Sequence, residues 1–177
     1  QDFLVLPETD EPLFLMMLGK ICDGELGALI REHFQAEFTV IWAKFLSTLP
    51  EARPFAGVDE PFNPTDRLLS TMWHRDDGGF GPFVHVILYL NDFPEHGGAT
   101  EFLDLDTSRK IVAAGCTHPD LEMALILKHT GFEEAMDAHG ISHQPFSFEP
   151  VAGEGVVFDA PNCFHRELLP SEGTRHV

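Results

Sequence analysis

The chain has 177 residues, which fits one domain, and 44% of them are hydrophobic, enough for a sizeable core. Sixteen phenylalanines against one tyrosine and two tryptophans point to an apolar, aromatic-rich interior. With 29 acids against 11 bases the formal charge is −18, a surface that repels phosphate backbones and anionic membranes and argues against nucleic-acid partners.

In chain order, residues 1–50 read as helical support. The apolar run from Pro12 to Leu18 is too short to span a bilayer, so no membrane segment is expected. Asp23 is placed as a helix N-cap. Leu26, Leu29, Ile30 and Phe34 recur at helical spacing, and Phe38, Ile41, Trp42, Phe45 and Leu49 continue the stripe up to Pro50. Such a stripe is core packing. The segment from Pro50 to Pro64 has loop composition.

Over residues 65–177 the period shortens to two. Leu68 to His74 reads as a strand, Asp76 to Gly79 as a turn and Phe83 to Leu90 (FVHVILYL) as a buried strand. Asn91 to Gly98 (NDFPEHGG) is a connection, and Ala99 to Leu105 (ATEFLDL) alternates as a further strand. Phe146 to Phe148, Val156 to Phe158, Asn162 to Leu169 and Thr174 to Val177 complete the series, with turns at Pro150 to Gly155 and Pro170 to Gly173. Many short strands with Gly/Pro turns, after a helical block, predict a mainly β sandwich or barrel with supporting α-helices. Residues 106–140 break the rhythm with helical patterning around Leu121 to Lys128 and Phe132 to Ala138. An insert of this length is either a lid over a site or a cover for a sheet edge.

His74 and Asp76 form an H-x-D pair. Residues two apart on a strand share a face, so both reach one metal while Arg75 points away. His165, far downstream, completes a 2-His-1-carboxylate set, which suits Fe(II) and leaves coordination positions open. Arg175 follows ten residues later and is placed to clamp the carboxylate of an acid on the same metal. Asp77 falls on the opposite strand face. His139 and His143 are four apart with His129 nearby, but Gly140 interrupts their helix and no H-E-x-x-H is present, so they read as solvated.

Cys22, Cys116 and Cys163 are odd in number and widely spaced, with no C-x-x-C pair. Neither a disulfide framework nor a zinc site is expected, and an intracellular, cytoplasmic compartment is the default. Cys163 reads as a small buried hydrophobe rather than a nucleophile. The chain opens at Gln1 without Met and stops at Val177, which is compatible with a trimmed leader or a further final strand.

The segment from Trp73 to Leu105 resembles the central block of 2-oxoglutarate- and Fe(II)-dependent oxygenases, nearest the prolyl 4-hydroxylase-like branch. The matching residues are His74 and Asp76, then Tyr89-Leu90-Asn91, then Gly97-Gly98-Ala99-Thr100-Glu101-Phe102. Phe148 to Arg175 is similar to that family's second signature: a Pro-x-x-Gly turn, an apolar strand, the distal His165, then Gly-x-Arg ending at Arg175. The N-terminal third matches only in general character, and the insert has no counterpart.

The resemblance implies a double-stranded β-helix (jelly-roll, cupin-like) core with N-terminal helices and a helical insert. It implies iron held by His74, Asp76 and His165, and 2-oxoglutarate as cosubstrate with ascorbate as an optional reductant. Arg175 would pair with the distal carboxylate of 2-oxoglutarate, as a bidentate guanidinium does well. Tyr89 matches a family tyrosine that bonds the same carboxylate, against its plain reading as a core aromatic. Thr100 and Thr174 are weaker candidates. Family members that halogenate lack the carboxylate, so Asp76 favours hydroxylation. Collagen-type prolyl hydroxylases carry Lys where Arg175 stands, so substrate identity does not transfer.

The expected activity is therefore oxidation of an unactivated C–H bond by O2, with release of succinate and CO2. The substrate would be a small molecule or a peptidyl group, a prolyl residue included, with Phe80, Phe83, Trp73 and the insert as pocket candidates. A non-catalytic cupin-like metal-binding or sensing module is the alternative. A metal-dependent isomerase or hydrolase would carry more clustered histidines.

Overall fold

A computed structural model of the chain describes residues 2–3, 11–40, 46–48, 73–76, 82–92, 98–115, 136–147, 149–170 and 175–176. Its elements are β1 (Asp2–Phe3), α1 (Glu11–Asp23), α2 (Glu25–Phe34), β2 (Leu46–Thr48), β3 (His85–Leu88), β4 (Thr100–Phe102), α3 (Leu105–Ala113), β5 (Gly155–Phe158), β6 (His165–Glu167) and β7 (Arg175–His176). Two compact units result, Asp2–Leu46 and Ser47–Val177.

The first unit carries α1 and α2. Asp23 is the last residue of α1 rather than an N-cap; Gly24 caps α2 with no side-chain hydrogen bond. Gly27 lies so close to the end of α1 that a Cβ on it would sit 1.7 Å from the Cys22 carbonyl oxygen. Arg31 donates to that same carbonyl at 3.1 Å, which satisfies a helix-end acceptor. The helix ends at Phe34, and Gln35 takes a left-handed conformation with φ 51°. Residues 37–40 are not helical, and residues 46–48 form β2, so α2 does not run on through Phe38; Ile41, Trp42, Phe45 and Leu49 lie outside the described residues. Thr39 and Val40 are β-branched, which disfavours helix and outweighs the coincidence of spacing there.

In the second unit β3 pairs antiparallel with β5, β4 with β6, and β2 with β7. Single bridges widen the β4–β6 ladder on both sides, His74 to His165 and Phe102 to Phe146. Around the β4–β6 ladder the two-residue period sorts side chains cleanly. Trp73, Leu103 and Phe164 are buried with Ile111, Met136 and Ile141, which places the last turn of α3 and the end of the insert against one face. Phe102 is buried with Phe158 and Ala160, with Phe83, Ile87 and Val156 packed beside them. Phe102 and Phe158 meet edge to face at 4.9 Å, which joins β4 to β5 through their side chains.

Helix α3 begins at Leu105, one residue before the expected insert, and occupies its start. Asp104 caps it, accepting from the Thr107 N–H at 2.8 Å and the Thr107 hydroxyl at 2.7 Å. Both ends of the insert are therefore core; residues 116–135, including the helical pattern around Leu121 to Lys128 and His129, lie outside the described residues. The Pro150-x-x-Gly153 turn is built as such. Gly153 has φ 91°, Glu154 N–H donates to Val151 C=O at 3.0 Å, and Gly153 N–H donates to Tyr89 C=O at 2.8 Å. Among the described residues no helix is long and apolar enough to cross a membrane.

Candidate metal centre

Two backbone hydrogen bonds bring the distant histidines together. His74 N–H donates to His165 C=O at 3.0 Å, and His165 N–H donates to His74 C=O at 2.9 Å. Their rings lie 4.3 Å apart, centroid to centroid. Asp76 N–H donates to Ala160 C=O at 3.1 Å, which fixes the third residue to the turn that leads into β6. That turn is tied by Cys163 N–H and Asn162 N–H, which both donate to Asp159 C=O.

One ligand atom each from His74, Asp76 and His165 lies within 4.8 Å of the others. His165 Nε2 is 3.3 Å from Asp76 Oδ2, and His74 Nε2 is 3.9 Å from Asp76 Oδ1. Ligands about 2.1 Å from one ion sit about 3 Å apart at right angles and about 3.4 Å apart at tetrahedral angles, so a small inward movement closes the set on a divalent cation. His165 Nδ1 lies 3.1 Å from the Cys163 carbonyl oxygen, a partner that accepts the Nδ1 proton and turns Nε2 toward the carboxylate. Burial pushes the Asp76 carboxyl up, but the His165 hydrogen bond and the charges of His165, His85 and His74 outweigh it and hold the group below its ordinary 3.8. The donor set is thus a carboxylate that stays ionised beside two imidazoles, chemistry that fits Fe(II) and other divalent ions.

Arg75 points away, as alternation requires. Its guanidinium lies over Phe164 at 5.4 Å and donates to Pro161 C=O at 3.1 Å. Trp73 shares that opposite side, buried beneath Arg166 at 4.5 Å, so it does not line the metal centre. Phe83 does belong to the metal side, tilted on His85 at 5.4 Å. Tyr89 is fully buried, its hydroxyl 3.3 Å from Thr100 Oγ1 and accepting the Thr100 N–H at 3.4 Å. Thr100 shares the strand face of Phe102, which is the register partner of His165. Arg175 has its backbone on β7, opposite Thr48; its side chain lies outside the described residues, as do Asp77, Phe80 and Thr174. His139 is exposed in the turn after residues 136–138 and does not join the ligand set. The Cys163 thiol is pushed up by burial and by the nearby Asp159 and Asp104 carboxylates, which leaves it a poor nucleophile; its contribution is its carbonyl.

Sequence reasoning missed His85. Its Nδ1 is 3.3 Å from Asp76 Oδ2, and its ring meets Phe158 edge-on at 5.5 Å. The available signal was a lone imidazole at the third position of the apolar run FVHVILYL, a polar group in a strand otherwise composed for burial.

No protein-family model matches the chain, and neither a curated protein nor a solved structure does.

Proposed function

We propose that the chain is a 2-oxoglutarate- and Fe(II)-dependent dioxygenase that hydroxylates an unactivated C–H bond of a small-molecule or peptidyl substrate. The observation that carries this reading is the convergence of His74, Asp76 and His165 within 4.8 Å, from positions almost ninety residues apart. A double-stranded β-helix is the fold we propose around it, and the antiparallel ladders that flank the triad support that assignment.

With Fe(II) and 2-oxoglutarate bound, such a centre supplies O2 activation coupled to oxidative decarboxylation, releasing succinate and CO2. His74, Asp76 and His165 would hold the ion on one face. Arg175 would pair with the distal carboxylate of the cosubstrate, and Tyr89, whose hydroxyl oxygen accepts the Thr100 N–H, would turn its O–H from Thr100 Oγ1 to the same carboxylate. Phe83, Phe102 and Phe158 on the metal side would exclude water from the reacting face.

Anaerobic addition of Fe(II) and 2-oxoglutarate is expected to give a weak visible charge-transfer band, and admission of air to yield succinate. Arg175→Ala separates this reading from a metal-binding or sensing module, since it would remove 2-oxoglutarate binding while leaving metal binding intact. A wild-type protein that binds Fe(II) yet shows neither band nor succinate overturns the dioxygenase reading.

A further inference from the structure

The geometry points to His85 as the positioning residue that holds the metal-ligating carboxylate of Asp76. This rests on the metal centre of the reading above, and on neither 2-oxoglutarate nor any substrate. Three imidazoles surround the Asp76 carboxylate. His74 Nε2 is 3.9 Å from Oδ1, while His165 Nε2 and His85 Nδ1 are each 3.3 Å from Oδ2. A cation takes the Nε2 lone pairs of His74 and His165, and those two nitrogens then no longer bond to Asp76. With His165 turned to the ion, Asp76 Oδ2 would lose that partner and keep the His85 nitrogen as its neighbour. His85 Nδ1, 3.3 Å away, needs only a slight approach to donate to it and comes from a strand that supplies no ligand.

The strand holds His85 in place. It opens β3, opposite Phe158 in the β3–β5 register. Its ring is set between Phe158 at 5.5 Å and Phe83 at 5.4 Å. The same geometry argues against a fourth ligand. The His85 ring lies 6.3 Å from that of His165, against 4.3 Å between His74 and His165, and His85 does not join the group of ligand atoms within 4.8 Å. A carboxylate held by His85 from outside the ligand set would keep its orientation toward His74 and His165 whether or not an ion is bound.

Co(II) is the probe, added without oxygen to the full chain and followed by its visible d–d absorption. His85→Phe keeps the ring packing and removes the donor. His85→Asn places an amide N–H near the position of Nδ1, and His85→Gln places it near the other ring nitrogen. Wild type and His85→Asn are expected to bind Co(II) within about threefold of each other with the same spectrum. His85→Phe and His85→Gln are expected to bind about 10- to 100-fold more weakly with a shifted band. Far-UV circular dichroism checks folding, and should His85→Phe not fold, the Asn and Gln pair carries the comparison. Co(II) binding by His85→Phe or His85→Gln equal to wild type, with Asp76→Ala unable to bind, overturns the inference. So does a loss in His85→Asn as large as in His85→Gln, which would make His85 a ligand itself. A wild-type protein that binds no Co(II) fails the metal centre as a whole, a distinct result.

Discussion

Ser108→Ala tests whether α3 is part of the scaffold that presents His165. Ser108 is fully buried on α3, and its Oγ accepts the backbone N–H of Phe164 at 3.0 Å. Phe164, also fully buried, precedes His165 and gives its carbonyl to the Leu103 N–H at 2.9 Å. Alanine removes the only atom of Ser108 that answers the Phe164 N–H, and an amide left dry and unpaired costs about 1–3 kcal/mol. At about 1.4 kcal/mol per decade, the folding constant falls roughly 5- to 150-fold. With a urea dependence of about 2 kcal/mol per molar, the unfolding midpoint drops by roughly 0.5–1.5 M at unchanged slope. The assay is urea unfolding in EDTA, followed by tryptophan fluorescence, since Trp73 lies in the same buried cluster as Phe164. Exposed Ser147→Ala serves as the control and is expected within about 0.5 kcal/mol of wild type. A Ser108→Ala midpoint inside that control band would refute the reasoning and remove the Ser108–Phe164 bond from what holds the His165 strand.

Asp104→Ala is expected to cost about 1 kcal/mol of chemical stability at neutral pH through loss of the α3 cap. The Thr107 backbone N–H, then its hydroxyl, holds the Asp104 carboxyl below 3.8, so this stabilisation is present above that pH and is lost as pH falls through the lower folded value. Asp104→Asn should flatten that acid limb in a pH series of urea midpoints, and an unchanged limb would remove Asp104 from the account. Gly27→Ala, whose Cβ would meet the Cys22 carbonyl oxygen at 1.7 Å, is expected to cost at least about 1–3 kcal/mol and to lower the far-UV melting temperature. Gly19→Ala, in open space within α1, is expected to raise it by the equivalent of about 0.5–1 kcal/mol; equal melts for the two variants would contradict the close helix approach. Arg166 donates to Glu101 through two nitrogens at 2.6 and 2.7 Å across β4–β6, and a double-mutant cycle should return about 0.5–1 kcal/mol of coupling that shrinks in high salt.

How much of this was legible in the chain follows from the range of each interaction. The common face of His74 and Asp76, and the opposite direction of Arg75, come from a two-residue period and could be read locally. The Pro150-x-x-Gly153 turn could too, because positive φ selects glycine. The end of α2 at Phe34 could not: apolar residues kept helical spacing beyond it, and only the β-branched composition of Thr39 to Ile41 spoke against the helix. Gly27 was silent because its constraint is the carbonyl of a neighbouring helix rather than its own turn. Residues 106–140 read as one insert, yet Ile111, Met136 and Ile141 belong to the core with Trp73 and Phe164, a partnership set by contacts far apart in sequence. His85 was hidden for the same reason. Its pairing with Asp76 depends on where β5 sets β3, and no spacing rule encodes that.

The paired backbone hydrogen bonds between His74 and His165 have a bearing on how a cation would come and go. Two side chains whose main chains already exchange both N–H···O bonds need no folding step to meet. The cation would therefore add its affinity to a finished scaffold by mass action, unlike small zinc modules that collapse only around their ion. A chelator should strip such a centre and leave the surrounding fold standing, so the same molecules can be reloaded with one ion after another and compared.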